Sequence, residues 1–431
     1  MKNIIQTIIK DFHKRGLEKF KLRNIDVPIY SGKIITLIGS RRAGKTYLQM
    51  QLMSQILKEK NISLENIVYI NFEDERLDFR TQDLNLIIEG YLELFPNNNL
   101  NEVYFFFDEI QEIDGWEKFV RRVYDTISKN IYITGSSAKL LSREIATSLR
   151  GRTLTYEVFP LSFREYLTFK QIDIKDVHST INKSKIKNEF KFYLDKGGFP
   201  EIINFNENLT IKTLQNYLDV MIFRDLVERF KITNVEVLKL FIKKAISNVS
   251  KEFSINKVFN EFKSLNLKLS KDKLYQYLDN LEEIYLLFFI SQYSESIQKQ
   301  ELSLKKVYSI DTGLNLANSF KFSENKGRLL ENLVFIELKR RSYEIYYHKQ
   351  KKECDFVIKE GLDIVQAIQV TKSLEDIDTK KREIAGLLDA CSTYRLKTGL
   401  ILTEDEEYEL EQDGVKIQVI PIWKWLLPES Q

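Results

Sequence analysis

Residues Gly39-Ser40-Arg41-Arg42-Ala43-Gly44-Lys45-Thr46 fit the pattern G-x-x-x-x-G-K-[ST] at every fixed position. The chemistry available to such a segment is the holding of nucleotide phosphates. Glycines at both ends let backbone N–H groups turn inward, and a following helix N-terminus adds the positive end of its dipole. Lys45 would reach the β- and γ-phosphates and the Thr46 hydroxyl would hold Mg²⁺, which makes Gly39 through Tyr47 the candidate nucleotide-binding set. A second group follows at Asp108-Glu109, at the end of the run Val103-Tyr104-Phe105-Phe106-Phe107. Asp108 would hold the metal directly or through water, and Glu109 would polarise the attacking water as a general base. The plainer alternatives are a chance Gly-Lys turn and a strand tipped with solvated acids. The two motifs appear in the right order and context, which favours the catalytic reading. Thr134 and Ser136 are candidates for contact with the γ-phosphate or the water, set against ordinary turn chemistry. Arg150 and Arg152 are candidates for stabilising phosphoryl charge, in cis or across a subunit boundary, set against ordinary surface arginines.

These residues need elements to position them. Ile34–Ile38 reads as a buried strand leading into the loop, and Tyr47–Lys60 as the helix that follows it. Asn66–Phe72, the run before Asp108 and Asn130–Thr134 read as further buried strands. Strands alternating with helices imply a parallel sheet, with the ligand at the carboxyl ends of its strands. The fold class expected is α/β: a phosphate-loop parallel-sheet core, then a helical winged-helix segment, then a smaller α/β unit.

At 431 residues the chain exceeds one typical core. We read three parts, 1–205, 206–300 and 301–431. Met1–Arg15 reads as a short amphipathic helix, and Ser162 with Glu165 has the spacing of a capping box. The two cysteines, Cys354 and Cys391, exclude a disulfide framework or a zinc cluster. The apolar stretches are too short to span a bilayer, and no signal peptide is read, so a cytoplasmic protein with no membrane partner is expected. With 65 basic and 62 acidic residues, net charge makes no case for nucleic acid, although a local basic patch is compatible with it. In the second part, helices at 253–263 and 270–283 followed by an apolar strand to Ile290 have the order of a winged helix, with Ser254 and Ser270 as N-caps. Lys271, Lys273, Tyr275, Gln276 and Tyr277 would then face DNA, or the module would dock a protein instead.

In the third part, Glu331 and Asp355 echo a nuclease metal site, in which a helix acid and a strand-end acid bind Mg²⁺, and would make a second metal site. Gln369 and Thr371 stand where such a site uses an acid and a lysine, and Lys372 would point to the opposite strand face. A degenerate, non-cleaving site is expected.

The ordered motifs resemble the bacterial and archaeal P-loop ATPases of the AAA+ class that carry a carboxy-terminal domain of uncharacterised function. The residues that carry the likeness are the loop with its two arginines, Phe107-Asp108-Glu109-Ile110-Gln111, Thr134-Gly135-Ser136-Ser137, Leu149-Arg150-Gly151-Arg152, Pro160 to Tyr166 and Gly197-Gly198-Phe199-Pro200-Glu201. Tyr308 to Leu314, Glu331-Asn332 and Cys354-Asp355-Phe356 extend it to the tail. The resemblance implies an AAA-type ATPase core using ATP and Mg²⁺, a winged helix and a PD-(D/E)XK-like tail; ATP over GTP rests on it alone. Three functions stay open: a DNA-associated ATPase switch or motor, which we favour; an ATP-dependent nuclease; and a protein-interaction ATPase of defence or signalling type. A homo-oligomer is compatible with each.

Overall fold

The computed structural model describes residues 1–136, 149–174, 179–319 and 326–427, so Ser137 lies outside the described residues. The chain forms two compact units, Met1–Val158 and Phe159–Gln431.

The first unit runs α1 (Lys2–Arg15), β1 (Ile34–Ile38), α2 (Lys45–Lys60), β2 (Ile67–Asn71), α3 (Asn85–Leu94), β3 (Tyr104–Asp108), α4 (Trp116–Thr126), β4 (Ile131–Gly135) and β5 (Thr153–Glu157). The sheet order is β2-β3-β4-β1-β5, and every pair is parallel. The aromatic run of β3 is explained by cover on both faces. Phe106 stacks on Tyr132 at 4.4 Å between centroids, while Phe107 meets Phe119 of α4 at 5.9 Å. Helix α1 buries Ile5, Ile8, Ile9 and Phe12, one helical stripe, and lies against α3 and β2. A non-regular strap connects α1 to β1 and packs Leu17, Phe20, Ile25 and Ile29 on the core. Gln51 of α2 pins the strap: its Oε1 accepts Arg23 N–H at 2.7 Å and its Nε2 donates to Arg23 O at 3.1 Å.

The second unit begins with α5 (Phe163–Phe169), α6 (Thr180–Lys196), α7 (Glu207–Val220) and a π-helical continuation Met221–Glu228. The expected capping box is present: Ser162 Oγ accepts from Glu165 N–H at 3.1 Å, and Glu165 accepts from Ser162 N–H at 2.9 Å. Next come α8 (Val235–Ser247), β6 (Lys251–Phe253), α9 (Ile255–Ser264), α10 (Lys271–Glu283), β7 (Leu287–Ile290), α11 (Ile297–Leu302), β8 (Lys305–Ser309) and α12 (Thr312–Asn318). Ser254 and Ser270 cap α9 and α10 as expected. The three strands form an antiparallel sheet in the order β6-β8-β7. The remainder is α13 (Lys326–Arg340), β9 (Glu344–Lys349), β10 (Glu353–Glu360), β11 (Asp363–Val370), α14 (Ile377–Tyr394), β12 (Thr398–Thr403), β13 (Tyr408–Gln412), β14 (Val415–Pro421) and α15 (Ile422–Trp425). Its sheet order is β13-β14-β12-β11-β10-β9. Cys354, Val357, Leu387 and Ile401 form its core with α14.

The boundaries read at 205 and 300 differ from this division. Helices α5 and α6 belong to the second unit, because the turn after α6 is latched there: Gly198 N–H donates to Asp311 Oδ2 at 2.7 Å. The cut at 300 would separate β8 from β6 and β7, the strands it pairs with.

Asp311 also caps α12 through Leu314 N–H at 2.9 Å. The fit at this latch is close. A Cβ on Gly197 would meet Asp311 Oδ1 at 2.0 Å, and one on Gly313 would meet Lys196 O at 1.9 Å. Burial pushes the Asp311 carboxyl up to about 6, against the opposing pull of the Gly198, Leu314 and Gly313 N–H groups. The folded chain therefore holds this proton over a window where the unfolded chain has released it. Its contribution to stability, about 3 kcal/mol, is present below about pH 4 and is lost as pH rises through about pH 6. Urea midpoints of wild type and Asp311→Asn across this range check the point. The difference between the two curves should change with pH, and a constant offset would refute the assignment.

Candidate nucleotide site and a second acidic cluster

The loop sits where its backbone requires glycine. Gly39 has φ 151°, and a Cβ there would lie 2.1 Å from Val158 O, because Val158 N–H donates to Ile38 O at 2.6 Å alongside it. Gly44 is left-handed with φ 96° and opens α2, which starts at Lys45 rather than Tyr47. Lys45 is 4% exposed and its ammonium folds into the loop, donating to Gly39 O at 3.1 Å and Ser40 O at 3.2 Å. Arg23 of the strap braces the loop from outside, donating to Ala43 O at 2.8 Å. Arg41 pairs with Glu73 at 3.0 Å, Arg42 takes a left-handed φ of 66°, and Tyr47 is 48% exposed.

Strand β4 lies between β1 and β3, so the loop and the two acids are not on adjacent strands. Strands are spaced about 4.8 Å apart, which leaves about 10 Å between β1 and β3. The side chains close that gap. Thr46 Oγ1 donates to Asp108 Oδ2 at 2.8 Å, and Tyr69 OH donates to the same oxygen at 2.9 Å. The Thr134 hydroxyl of β4 donates to Asp108 Oδ1 and accepts from Glu109 N–H at 2.9 Å. Glu109 is left-handed, φ 52°, a conformation that non-glycine residues hold only where their surroundings enforce it. Its carboxylate lies 3.4 Å from the Lys45 ammonium and accepts from Gln111 Nε2 at 2.6 Å and Ser136 N–H at 3.1 Å.

The two carboxyls separate electrostatically. Burial, then the neighbouring Glu109 charge, raise Asp108 against the hydroxyls of Thr134, Thr46 and Tyr69. Burial alone would also raise Glu109, but Lys45, Gln111 and Arg41 outweigh it and hold Glu109 below the ordinary carboxylate range. An ionised Glu109 beside Lys45 has the charge state a general base needs.

The residues fit a nucleotide phosphate chain with its cation. Ser40 Oγ is buried with no hydrogen-bond partner among the described residues, and the Lys45 ammonium fills the loop that phosphate oxygens would occupy. Thr46 and Asp108 already share a hydrogen bond, as two ligands of one hard cation would be placed.

The structure thus brings together Gly39 to Thr46, Asp108, Glu109, Thr134 and the Ser136 backbone. It does not bring Arg150 and Arg152 to them in cis, which corrects that expectation. Both precede β5, which runs parallel to β1 with Thr153 opposite Ile34, so they stand at the amino end of the sheet, away from the loop. Arg152 is held there by Asp125 at 2.9 Å, and Arg150 is exposed. Tyr69, Arg23 and Gln51 escaped the sequence reading, and Gln111 entered it only as part of a motif, with no role given. Tyr69 had no signal, since a tyrosine in an apolar strand reads as core.

The second unit holds another cluster. Glu331 of α13 and Asp355 of β10 do meet, but on a lysine. Lys306 of β8 is 2% exposed, and its Nζ lies 3.4 Å from Glu331, 3.2 Å from Asp355 and 2.8 Å from Glu353. Tyr308 OH donates to Glu331 at 2.7 Å. Burial, then Asp355, push Glu331 up to about 8 despite Lys306, whereas the carboxylates hold Lys306 well above its ordinary value. Gln369 spends its amide on Asp355 N–H, at 3.3 Å, and on Glu383. Asp355 Oδ2 is taken by Val370 N–H at 3.0 Å. No group of three metal-binding side chains is found among the described residues. The expectation of a Glu331–Asp355 metal pair is corrected accordingly. Lys372 is corrected too: β11 ends at Val370, so strand alternation does not govern Lys372, which lines the same cleft. On α10, Tyr277 is 1% exposed and packs on Phe241, so it belongs to the core and not to a DNA-facing surface.

The AAA domain family matches residues 31–167, and two domains of unknown function, DUF8612 and DUF4143, match 187–324 and 326–425. An uncharacterised protein of Methanocaldococcus jannaschii is 39% identical over 94% of this chain and 90% of its own length. An uncharacterised protein of Haemophilus influenzae is 32% identical over 91% of this chain and 94% of its own. The chain therefore belongs to their family, and in this chain an AAA domain is joined to two carboxy-terminal domains of unknown function. Among solved structures, C. elegans PCH-2 aligns over 49% of this chain and 61% of its own at 15% identity and TM-score 0.29. A chain of Drosophila ORC bound to AT-rich DNA and Cdc6 aligns over 75% and 94% at 10% identity and TM-score 0.19. Neither likeness carries an argument at those scores. Among the described residues no helix is long and apolar enough to cross a membrane.

Proposed function

We propose that this protein binds and hydrolyses ATP to ADP and phosphate, as a switch or motor associated with DNA. The observation that carries the reading is one hydrogen-bonded group linking loop, cation-side acid and base: Thr46 to Asp108, Asp108 to Thr134, Thr134 to Glu109, and Glu109 to Lys45. Gly39 to Tyr47 would cradle the phosphates, with Lys45 moving from the loop carbonyls onto the β- and γ-oxygens. Thr46 and Asp108 would hold Mg²⁺, which supplies neutralisation of developing phosphate charge. Glu109 would take the proton of the water that attacks the γ-phosphorus as the bond to ADP breaks. Ser136 presents its backbone N–H to Glu109 and fixes the base. Arg150, exposed at the other sheet end, is the arginine left for a contact across a subunit boundary in a homo-oligomer.

The link to DNA is supported by the second unit. The order α8-β6-α9-α10-β7-α11-β8, with the strands paired β6-β8-β7, is compatible with a winged helix carrying one inserted helix, and α10 exposes Tyr275 and Gln276. The order of α13, β9 to β11, α14 and β12 is compatible with a nuclease-like unit, and the lysine among its acids favours a non-cleaving one.

ATP turnover by wild type and Lys45→Ala, with and without duplex DNA at moderate salt, tests this. Turnover lost in Lys45→Ala and raised by DNA is expected. Turnover indifferent to DNA would move the reading to a protein-directed ATPase. Equal turnover in both proteins would overturn it.

A further inference from the structure

The nuclease-like reading of the second unit brings with it a divalent cation, and the residues do not fit one. A hard dication needs carboxylate oxygens at about 2.0–2.6 Å. Here the converging oxygens of Glu331, Asp355 and Glu353 surround the Lys306 ammonium, and the second Asp355 oxygen is bound by Val370 N–H. The lysine cannot swing out cheaply. It is buried in the middle strand of a three-stranded sheet, and its departure would leave carboxylates uncompensated.

These acids lie at the floor of a cleft of about 790 Å³ whose lining is basic, with seven lysines and arginines against four acids. The floor acids have cationic partners within the protein: Glu331, Asp355 and Glu353 share Lys306, Lys349 lies 3.7 Å from Glu353, and Glu383 pairs with Arg382 at 2.6 Å. By contrast Lys351, Lys352 and Lys372 are exposed and have no side-chain partner among the described residues. Two of them stand on the β9–β10 turn, which is held in place. Asp389 of α14 accepts Lys351 N–H at 3.1 Å, Lys352 N–H at 3.0 Å and a His348 ring nitrogen at 3.0 Å. A turn held in place and carrying unpaired ammonium groups, above acids that already have cationic partners, is suited to a polyanion with regularly spaced charges.

We propose that this cleft binds the phosphodiester backbone of duplex DNA without a divalent cation, the Lys306 ammonium standing as a tethered replacement for the metal. The choice of DNA as the polyanion rests on the DNA-linked reading above; the replacement of the metal does not.

Binding of a short fluorescent duplex to the full chain, without nucleotide, tests it. Omitting nucleotide keeps the result separate from any failure of the ATPase reading. The affinity in EDTA should be at least as high as in Mn²⁺, since a divalent counterion can only compete with the lysines for phosphate. Replacing Lys351, Lys352 and Lys372 together by alanine should weaken binding about 10-fold and lower the log–log salt slope by about 2.7. In Lys306→Met, Mn²⁺ measured by electron paramagnetic resonance should rise by one bound ion relative to wild type, and Asp355→Asn on that background should remove it. Should Lys306→Met fail to fold, the EDTA comparison and the triple variant still decide. Binding that needs Mn²⁺, binding unchanged in the triple variant, no DNA binding, or a wild-type Mn²⁺ site lost in Asp355→Asn would each overturn the proposal.

Discussion

Glu109→Gln is expected to lower the rate of ATP hydrolysis about 10²–10⁴-fold, the usual contribution of a positioned general base. Nucleotide affinity should stay near that of the wild type. The substitution keeps the size of the side chain and an oxygen to accept from Ser136 N–H and Gln111, both of which now bind Glu109 Oε2. It removes the charge that faces Lys45 and the capacity to take a proton. The environment holds Glu109 ionised because Lys45, Gln111 and Arg41 outweigh its burial, so the wild-type side chain is competent as a base at neutral pH. Single-turnover hydrolysis, paired with binding of a fluorescent nucleotide, separates the two effects. A variant that binds and hydrolyses at the wild-type rate would remove Glu109 from the chemistry.

Gly39→Ala is expected to abolish nucleotide binding and to destabilise the first unit by about 3 kcal/mol, the upper part of the range for overpacking against fixed atoms. The added methyl would lie 2.1 Å from Val158 O and 2.9 Å from its carbonyl carbon, and these are backbone atoms that cannot rotate away. The φ of 151° disfavours any L side chain as well. Relief would require β1 and the segment after β5 to part at the point where Val158 N–H donates to Ile38 O. Gly90→Ala is the control. Its methyl would meet Gln6 Cγ at an ordinary 3.4 Å on α3, and alanine in a helix is favoured over glycine by about 1 kcal/mol. Urea stability of the two variants should therefore move in opposite directions, and nucleotide binding should be lost in Gly39→Ala alone; a mild phenotype for Gly39→Ala would contradict the packing at the loop.

The core of the first unit was legible because each of its buried strands is a short apolar run ending in polar residues. Strand β1 runs Ile34–Ile38 as read, and β3 ends at Asp108. The loop was legible because its chemistry is local in sequence. Two things were not local. The pairing of β4 between β1 and β3 is a choice of neighbour, which no single strand encodes, and it makes Thr134 the bridge between the acids. Strand β5, reading Thr-Leu-Thr-Tyr-Glu, alternates weakly at a sheet edge, so neither it nor the placing of Arg150 and Arg152 could be seen. In the second unit, the helix acid and the strand acid were found, but Lys306 sits 25 residues before Glu331, on a strand not read from the sequence. A lysine in Leu-Lys-Lys-Val-Tyr reads as solvated; only the hairpin of β7 with β8 turns Lys306 inward.

Strand β8 limits how this chain can be taken apart. The two carboxy-terminal family matches meet between residues 324 and 326, with Lys306 on one side of the seam and Glu331, Glu353 and Asp355 on the other. A fragment starting at Lys326 would carry three clustered acids without the ammonium they share, and the fragment ending before it would carry that lysine without its three acids. Two segments that look exchangeable in sequence are thus one electrostatic object. Truncation or domain swapping of this chain has to move the lysine and its acids together.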